Sequence, residues 1–321
     1  MCLQNNRFGR RGALALTVSL LLCGAVIVCA RALREPDIVI YAAGNLRGTI
    51  ERSGCYEGEP GGLDRLAGFL RKRLPEAKRP TLYIHGGPTV QVNNRQSELK
   101  FSLTMNTLAH VGCRAYGLAA SDLMLGAGFL RETAGKSKVP LIASNLVDTD
   151  GKLFFEPFLV TKAGRPGGKE LKVGIFSFIS PIFVDYADSF GGGGSRLLPV
   201  QEQLGKLLER PESRADCYLI FLQGAPHEPN ELRRFLSKNN KRVIAIIRMG
   251  GDQESGLRAR RLFASVFDLG AYDEDVVEVQ ATLDAEADVY EVTGSKVHTL
   301  DDEAPSDQTV VGWLRDYVEA M

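Results

Sequence analysis

From Asp37 onward, short β-rich runs alternate with stretches of helical period. DIVIYAA, TLYIH, RAYGL and VPLIASN are apolar runs of strand length, while GGLDRLAGFLRKRL places Leu63, Leu66, Ala67, Leu70 and Leu74 on one helical face. A second helix is expected from Glu98 to Val111 and a third around GAGFLRETAG. FFEPFLVTKA and ELKVGIFSFIS have only GRPGGK between them and so predict a hairpin. Beyond the Gly-rich SFGGGGS the order is helix VQEQLGKLLE, strand DCYLIFLQ, helix NELRRFLSKN and strand RVIAII. The tail changes character: RLFASVFDLG, VVEVQATLD and ADVYEVTGSKV predict antiparallel strands before a closing helix in DQTVVGWLRDYVEAM. Strands alternating with amphipathic helices imply βαβ units and an open layered sheet. YGLAASDLMLG, Tyr116 to Gly126, reads as a strand end running into a helix start, a place where α/β enzymes keep chemistry. Between its ends Asp122 is the one ionisable side chain.

The N-terminus has a different pattern. Arg7, Arg10 and Arg11 precede GALALTVSLLLCGAVIVCA, an uncharged, mostly apolar run of about bilayer-spanning length, and Ala30 to Ala32 has the small-x-small form of a signal-peptidase site. Residues 1–32 are therefore expected to be a signal peptide or an N-terminal signal anchor, and 33–321 an exported domain, periplasmic or extracellular. If the segment is not cleaved, it ties the protein to the membrane. The 44% hydrophobic and 24% charged content of the 321 residues supports a substantial core rather than disorder. Thirty-nine basic residues balance 39 acidic ones, which removes any global electrostatic case for nucleic acid. The densest basic run, Arg258 to Arg261, reads as a solvated strand face. Outside the export segment the cysteines are Cys55, Cys113 and Cys217; the last two flank apolar runs and are expected to be buried thiols. Cys55 lies in a loop, and no C-x-x-C spacing occurs.

Taken in order, YAAGNLRG, GGLDRLAGFLRK, MNTLAHVGCRAYGLAAS, VPLIASNLVDTDG with EPFLV, LKVGIFSFISP and VHTLDDEAPSDQTVVGWLRDY resemble the calcineurin-like metallophosphoesterase domain of the secreted 5′-nucleotidase and UDP-sugar hydrolase family. The resemblance runs from about Asp37 to the C-terminus and implies a four-layer α/β/β/α sandwich with mixed sheets. It also implies hydrolysis of phosphoesters by water bridged between two divalent metals, which need several His, Asp and Asn ligands at strand ends. Family members continue into a second, nucleoside-binding domain that the resemblance does not cover here, so it carries no expectation of nucleotide specificity.

The ligand positions that the resemblance implies are all changed. Where the family has Asp-x-His, this chain has Asn45 and Arg47, and a guanidinium has no lone pair to offer a cation. The aspartate of the Gly-Asp motif falls on Gly87. Gly-Asn-His-Glu is filled by Ala119, Ala120, Ser121 and Asp122, so only the acidic character of its last position survives. The later histidine falls on Gln223, and Gly-His-x-His corresponds to GDQE with Asp252 and Glu254. The expected site is thus a degenerate cleft of Asn45, Arg47, Gly87, Ala120, Ser121, Asp122 and Gln223 with no catalytic residue, no metal and no cofactor. It would bind a phosphorylated small molecule near Arg47, or a protein partner. The alternative is an active hydrolase whose divalent metal ion is held by a rearranged set, Asp122, Asp252, Glu254 and His85. Against that stands a plainer expectation: the acids are solvated or paired with Arg47 or Arg248. Of the four histidines, His85 follows an apolar strand and is expected to bond to backbone. His227 is expected on a surface loop, His110 in a helix, and His298 in a late strand or turn. Gly191 to Gly194 lack a following Lys-Ser/Thr and read as a flexible connection, not a phosphate loop.

Overall fold

A computed structural model describes residues 35–51, 60–164, 170–239, 242–250, 258–263, 265–270 and 274–321. The export segment, Cys55, Asp252 and Glu254 lie outside the described residues. Asp37–Met321 is one compact unit, and the following concerns that unit.

Its strands are β1 (Ile38–Gly44), β2 (Thr81–Gly86), β3 (Tyr116–Gly117), β4 (Leu141–Ile142), β5 (Leu146–Val147), β6 (Leu159–Ala163), β7 (Leu171–Ile179), β8 (Arg196–Leu197), β9 (Cys217–Gln223), β10 (Val243–Met249), β11 (Arg260–Phe263), β12 (Val266–Asp268), β13 (Asp275–Asp284) and β14 (Val289–Thr299). Two six-stranded sheets form, ordered β14-β13-β1-β2-β3-β4 and β11-β12-β10-β9-β7-β6. In the first, β1 to β4 run parallel and the β13–β14 hairpin adds antiparallel to β1. In the second, β7, β9, β10 and β12 are parallel, with β6 and β11 antiparallel at the edges. Both sheets are mixed, and the expected hairpin between FFEPFLVTKA and ELKVGIFSFIS is the β6–β7 pair.

The helices are α1 (Leu63–Glu76), α2 (Arg95–His110), α3 (Ala127–Ser137), α4 (Val184–Asp188), α5 (Val200–Leu208), α6 (Glu228–Asn239) and α7 (Gln308–Glu319). Strand alternation sorts the apolar side chains into layers. Ile38, Ile40 and Ala42 of β1 meet Leu219, Phe221 and Ile247 in the core between the sheets. Tyr41 and Ala43, on the opposite face of β1, pack with Leu66, Leu70, Phe101, Leu130 and Val310 of the helices. On the outer face of the second sheet, Phe176, Ile220 and Ile246 meet Leu204, Leu207, Leu232 and Leu236 of α5 and α6. Burial of each such side chain is worth about 1.5–3 kcal/mol. The result is the expected four-layer α/β/β/α sandwich.

Local physics moves some boundaries. α2 begins three residues before Glu98, because the Asn94 side chain accepts the Ser97 N–H at 2.8 Å and caps the helix there. The stretch after β3 is a 3₁₀ turn, Ala120–Leu125, and α3 starts only at Ala127, past Gly126 at φ 80°. Gly191 to Gly194 all have positive φ and form a built turn in which the Gly194 N–H donates to Asp188 O. All four glycines are exposed, with Gly191 beside the Phe154 ring. Arg258, Arg260 and Arg261 are exposed while Ala259 is buried, and Cys113 and Cys217 are buried thiols.

Candidate functional site

The parallel strands of both sheets end on one side of the sandwich, and the family-motif positions follow those ends. The sheets approach closely there because β2 and β3 end in glycine. A Cβ on Gly86 would lie 2.7 Å from Met249 Sδ, and one on Gly117 would lie 2.8 Å from both Phe221 and Ser177 Oγ. Larger residues would wedge the sheets apart.

Asn45 follows β1 at φ 63° and is completely buried. Its Nδ2 donates to Gly270 O at 2.5 Å and its Oδ1 accepts the Gly250 N–H at 2.7 Å. Gly250 follows β10 and Gly270 follows Asp268 of β12, so one amide on the first sheet clasps two strand ends of the second. Arg47 is half-buried at φ 50°, with its backbone N–H on Pro88 O at 2.9 Å. Gly87 precedes a cis Pro88, and a Cβ there would lie 2.2 Å from Asp122 Oδ2. No side chain at position 87 fits over the carboxylate as it stands.

Asp122 is also completely buried, and its two oxygens accept four hydrogen bonds. Oδ1 takes the Thr89 N–H at 2.8 Å and the Val90 N–H at 3.3 Å; Oδ2 takes the Tyr116 hydroxyl at 2.7 Å and the Ala119 N–H at 3.2 Å. Burial pushes its pKa up to about 6, against these donors, which pull it down. Tyr116 is raised well above the ordinary phenol value by burial and then by the Asp122 charge. Ser121 Oγ donates to Val90 O at 2.7 Å, and the Ala120 N–H donates to Gln223 Oε1 at 2.6 Å. Gln223 O accepts the Ser180 N–H at 2.8 Å, and Ser180 Oγ donates to Glu228 Oε1 at 2.7 Å. The surviving acid is therefore a staple joining the loop after β2 to the turn after β3, and Gln223 ties that turn to the second sheet.

His85 stacks on Tyr116 with ring centroids 5.7 Å apart, and its Nδ1 lies 2.6 Å from the Tyr83 hydroxyl. Its side-chain partner is a phenol, not the backbone that the sequence led us to expect. Burial pulls its pKa down to about 3, so the ring is neutral near pH 7. His227 is exposed just before α6. His110, in α2, lies 3.2 Å from Asp307, and His298, in β14, lies 2.7 Å from Glu278. Arg248 donates through Nε and Nη2 to Asp268 in a buried pair, the two residues being side by side in the β10–β12 register. Among the described residues no three His, Cys, Asp or Glu side chains converge as a metal group. Of the alternative set, Asp122 and His85 are each engaged as above, and Asp252 and Glu254 fall outside the described residues. Sequence reasoning missed Thr89, Tyr116, Ser180, Glu228 and Asp268. The only signal for them was polarity at the ends of apolar runs, which says nothing about partners.

No family model and no curated protein matches the chain. Solved structures do. The 5′-nucleotidase precursor from Thermus thermophilus superposes with TM-score 0.65 and 18% identity over 88% of this chain and 58% of its own. The calcineurin-like phosphoesterase YfkN from Bacillus subtilis gives 0.67 and 15% over 89% of this chain and 98% of that one. The NAD nucleotidase of Haemophilus influenzae gives 0.62 and 13% over 88% and 60%. The chain thus spans less than two thirds of either nucleotidase and nearly all of the YfkN structure. With these matches the two converging mixed sheets and their outer helices acquire a family of shapes: the chain has the calcineurin-like phosphoesterase fold that 5′-nucleotidases share.

Proposed function

We propose that this chain is an exported member of the phosphoesterase-fold proteins that works by metal-independent binding, the dinuclear metal site having been lost. One observation supports this most: the polar groups at the motif positions are spent on the protein itself. Asn45 Oδ1 and Nδ2, both Asp122 oxygens, Ser121 Oγ and Gln223 Oε1 each hold a neighbouring strand end or loop. All four of Asp122's accepted bonds come from the protein, so coordinating a divalent ion would require it to give up at least one of them and Asn45 to open the clasp between the sheets, and no compensating ligand takes their place among the described residues. The described donor set does not fit a binuclear centre.

Of the two ligands expected, a phosphorylated small molecule near Arg47 or a protein, the surroundings favour a protein. Ile182, Val184 and Tyr186 are exposed on the segment that packs on the 120–125 turn, and Ser180 at its start bonds to Gln223. Large exposed apolar side chains gathered on one short segment beside the motif positions support an interaction surface there. Export rests on the N-terminal segment, whose cleavage N-terminal sequencing of the mature protein would read directly.

The deciding measurement is elemental analysis of purified protein followed by nucleotidase and phosphodiesterase assays with added Mn²⁺. We expect neither stoichiometric metal nor turnover above a protein-free blank. Two metal ions per chain together with metal-dependent hydrolysis would overturn the proposal in favour of the rearranged set.

A further inference from the structure

A second concavity lies at the opposite end of β10 from the cleft. On β10 its lining is Val243 and Ile246, and Ile246 lies four residues, about 13 Å of strand, from Gly250 of the Asn45 clasp. Its volume is about 460 Å³, within the range that takes small organic molecules. The C-terminal half of α6 forms one wall, β10 the floor, and the start of β14 the other wall. Leu236, Ile246 and Tyr290 are almost without solvent exposure and line it with Val289.

The polar part of the lining carries one charge. Arg233 projects from α6 into the rim, and its Nε and Nη2 both donate to Asn230 Oδ1, at 3.2 and 3.1 Å. A guanidinium held at two nitrogens by one amide oxygen is fixed in plane before any ligand arrives. Among the described residues no carboxylate lies within ion-pair distance of it. The adjacent β13–β14 turn carries two acids: Asp288 is taken by Arg242 at 2.9 and 3.0 Å, and Glu286 beside the lining residue Ala287 is exposed and makes no ion pair with Arg233. An oriented cation without a protein counter-ion, beside a deep aliphatic and aromatic floor, is complementary to an anion carrying an apolar body. We propose that this hollow binds a medium-chain aliphatic carboxylate, its tail against Leu236, Ile246, Val289 and Tyr290 and its carboxylate on the Nη1–Nη2 edge of Arg233, which the bonds to Asn230 leave open. The site is independent of the cleft and of the function proposed for it.

The test uses the full chain and a photoreactive diazirine analogue of decanoate, with the labelled peptides mapped by mass spectrometry. Labelling is expected on the peptides carrying Leu236 and Val289, and excess decanoate should suppress it while equal decanol does not. Arg233→Ala should cut the labelling about tenfold, the equivalent of one lost charged pair, and Arg233→Lys should cut it less. Val289→Trp, which fills the hollow without touching the charge, should abolish it. Matching thermal unfolding of the variants shows that the fold is intact; were Arg233→Ala to unfold, Val289→Trp and Arg233→Lys still decide. Absence of saturable labelling at these peptides, or labelling indifferent to both Arg233→Ala and Val289→Trp, would overturn the assignment. Equal competition by decanol would remove the role of the anion, and competition by decyl phosphate but not decanoate would overturn the carboxylate in favour of a phosphate headgroup.

Discussion

The carboxylate of Asp122 meets three backbone N–H groups and one phenol, yet burial still holds its pKa near 6, above the 3.8 of an exposed aspartate. Because the folded value is the higher, the native state binds the extra proton, and the associated stability is complete below pH 3.8 and lost as pH rises through about 6. Asp122→Asn has no such titration. Relative to that variant, the wild type should therefore gain about 1–2 kcal/mol on going from pH 7.5 to pH 5, read from thermal unfolding of both proteins at each pH. A constant difference would mean that the carboxylate is not desolvated as described. The position of Asp122 was legible in the sequence, since it closes the stretch that resembles a ligand motif. Its role was not, because half of the groups that engage it come from the loop after β2, about thirty residues away, and no local pattern encodes that closure. Arg47 and Gly87 show the other case: a guanidinium and a missing side chain exclude metal ligation by their chemistry alone, and that much needed no structure.

Elements with an apolar face on a helical period were the readable ones. α1 buries Leu63, Leu66, Ala67 and Leu70, all named by the pattern, with Leu74 at its margin. The 3₁₀ turn at Ala120–Leu125 was not readable, since six residues give too short a window to tell a helix start from a turn. Helix ends depend on single side chains, and α7 offers a clean case. Asp307 Oδ1 accepts the Thr309 and Val310 N–H groups at 2.9 and 3.2 Å, while Oδ2 faces His110 and Arg71 at the end of α2 and on α1. Asp307→Ala should cost about 1–2 kcal/mol in chemical or thermal unfolding. Asp307→Asn, which keeps a capping oxygen, should recover more than half of it. Equal losses in the two variants would place the stabilisation in the charge contacts rather than in the cap. Gly68 of α1 belongs to the same junction: a Cβ there would lie 1.7 Å from Pro305 O, so the segment entering α7 rests directly on the helix backbone.

At the scale of the molecule, alternation of strand and helix pointed to βαβ units in a layered sheet, while the four layers with two facing sheets came only from the resemblance to the phosphoesterase family. Strand order and the convergence of two sheets at one end were not foretold. They depend on glycines at β2 and β3 and on pairings hundreds of residues apart, such as β1 with β13. The clasp made by Asn45 is likewise a long-range event, joining position 45 to 250 and 270. It has a measurable signature. The Gly250 amide should exchange with solvent deuterium only through opening of this end of the sandwich, and Asn45→Ala should bring its protection down to that of a surface loop amide while the mid-strand amide of Ile40 stays protected. Unchanged protection in the variant would mean that another contact holds the sheets together here. With that side chain acting as a latch across the seam, the ends of β1, β10 and β12 are fastened to one another, and anything that had to pass between the layers at this point would first have to break both of its bonds.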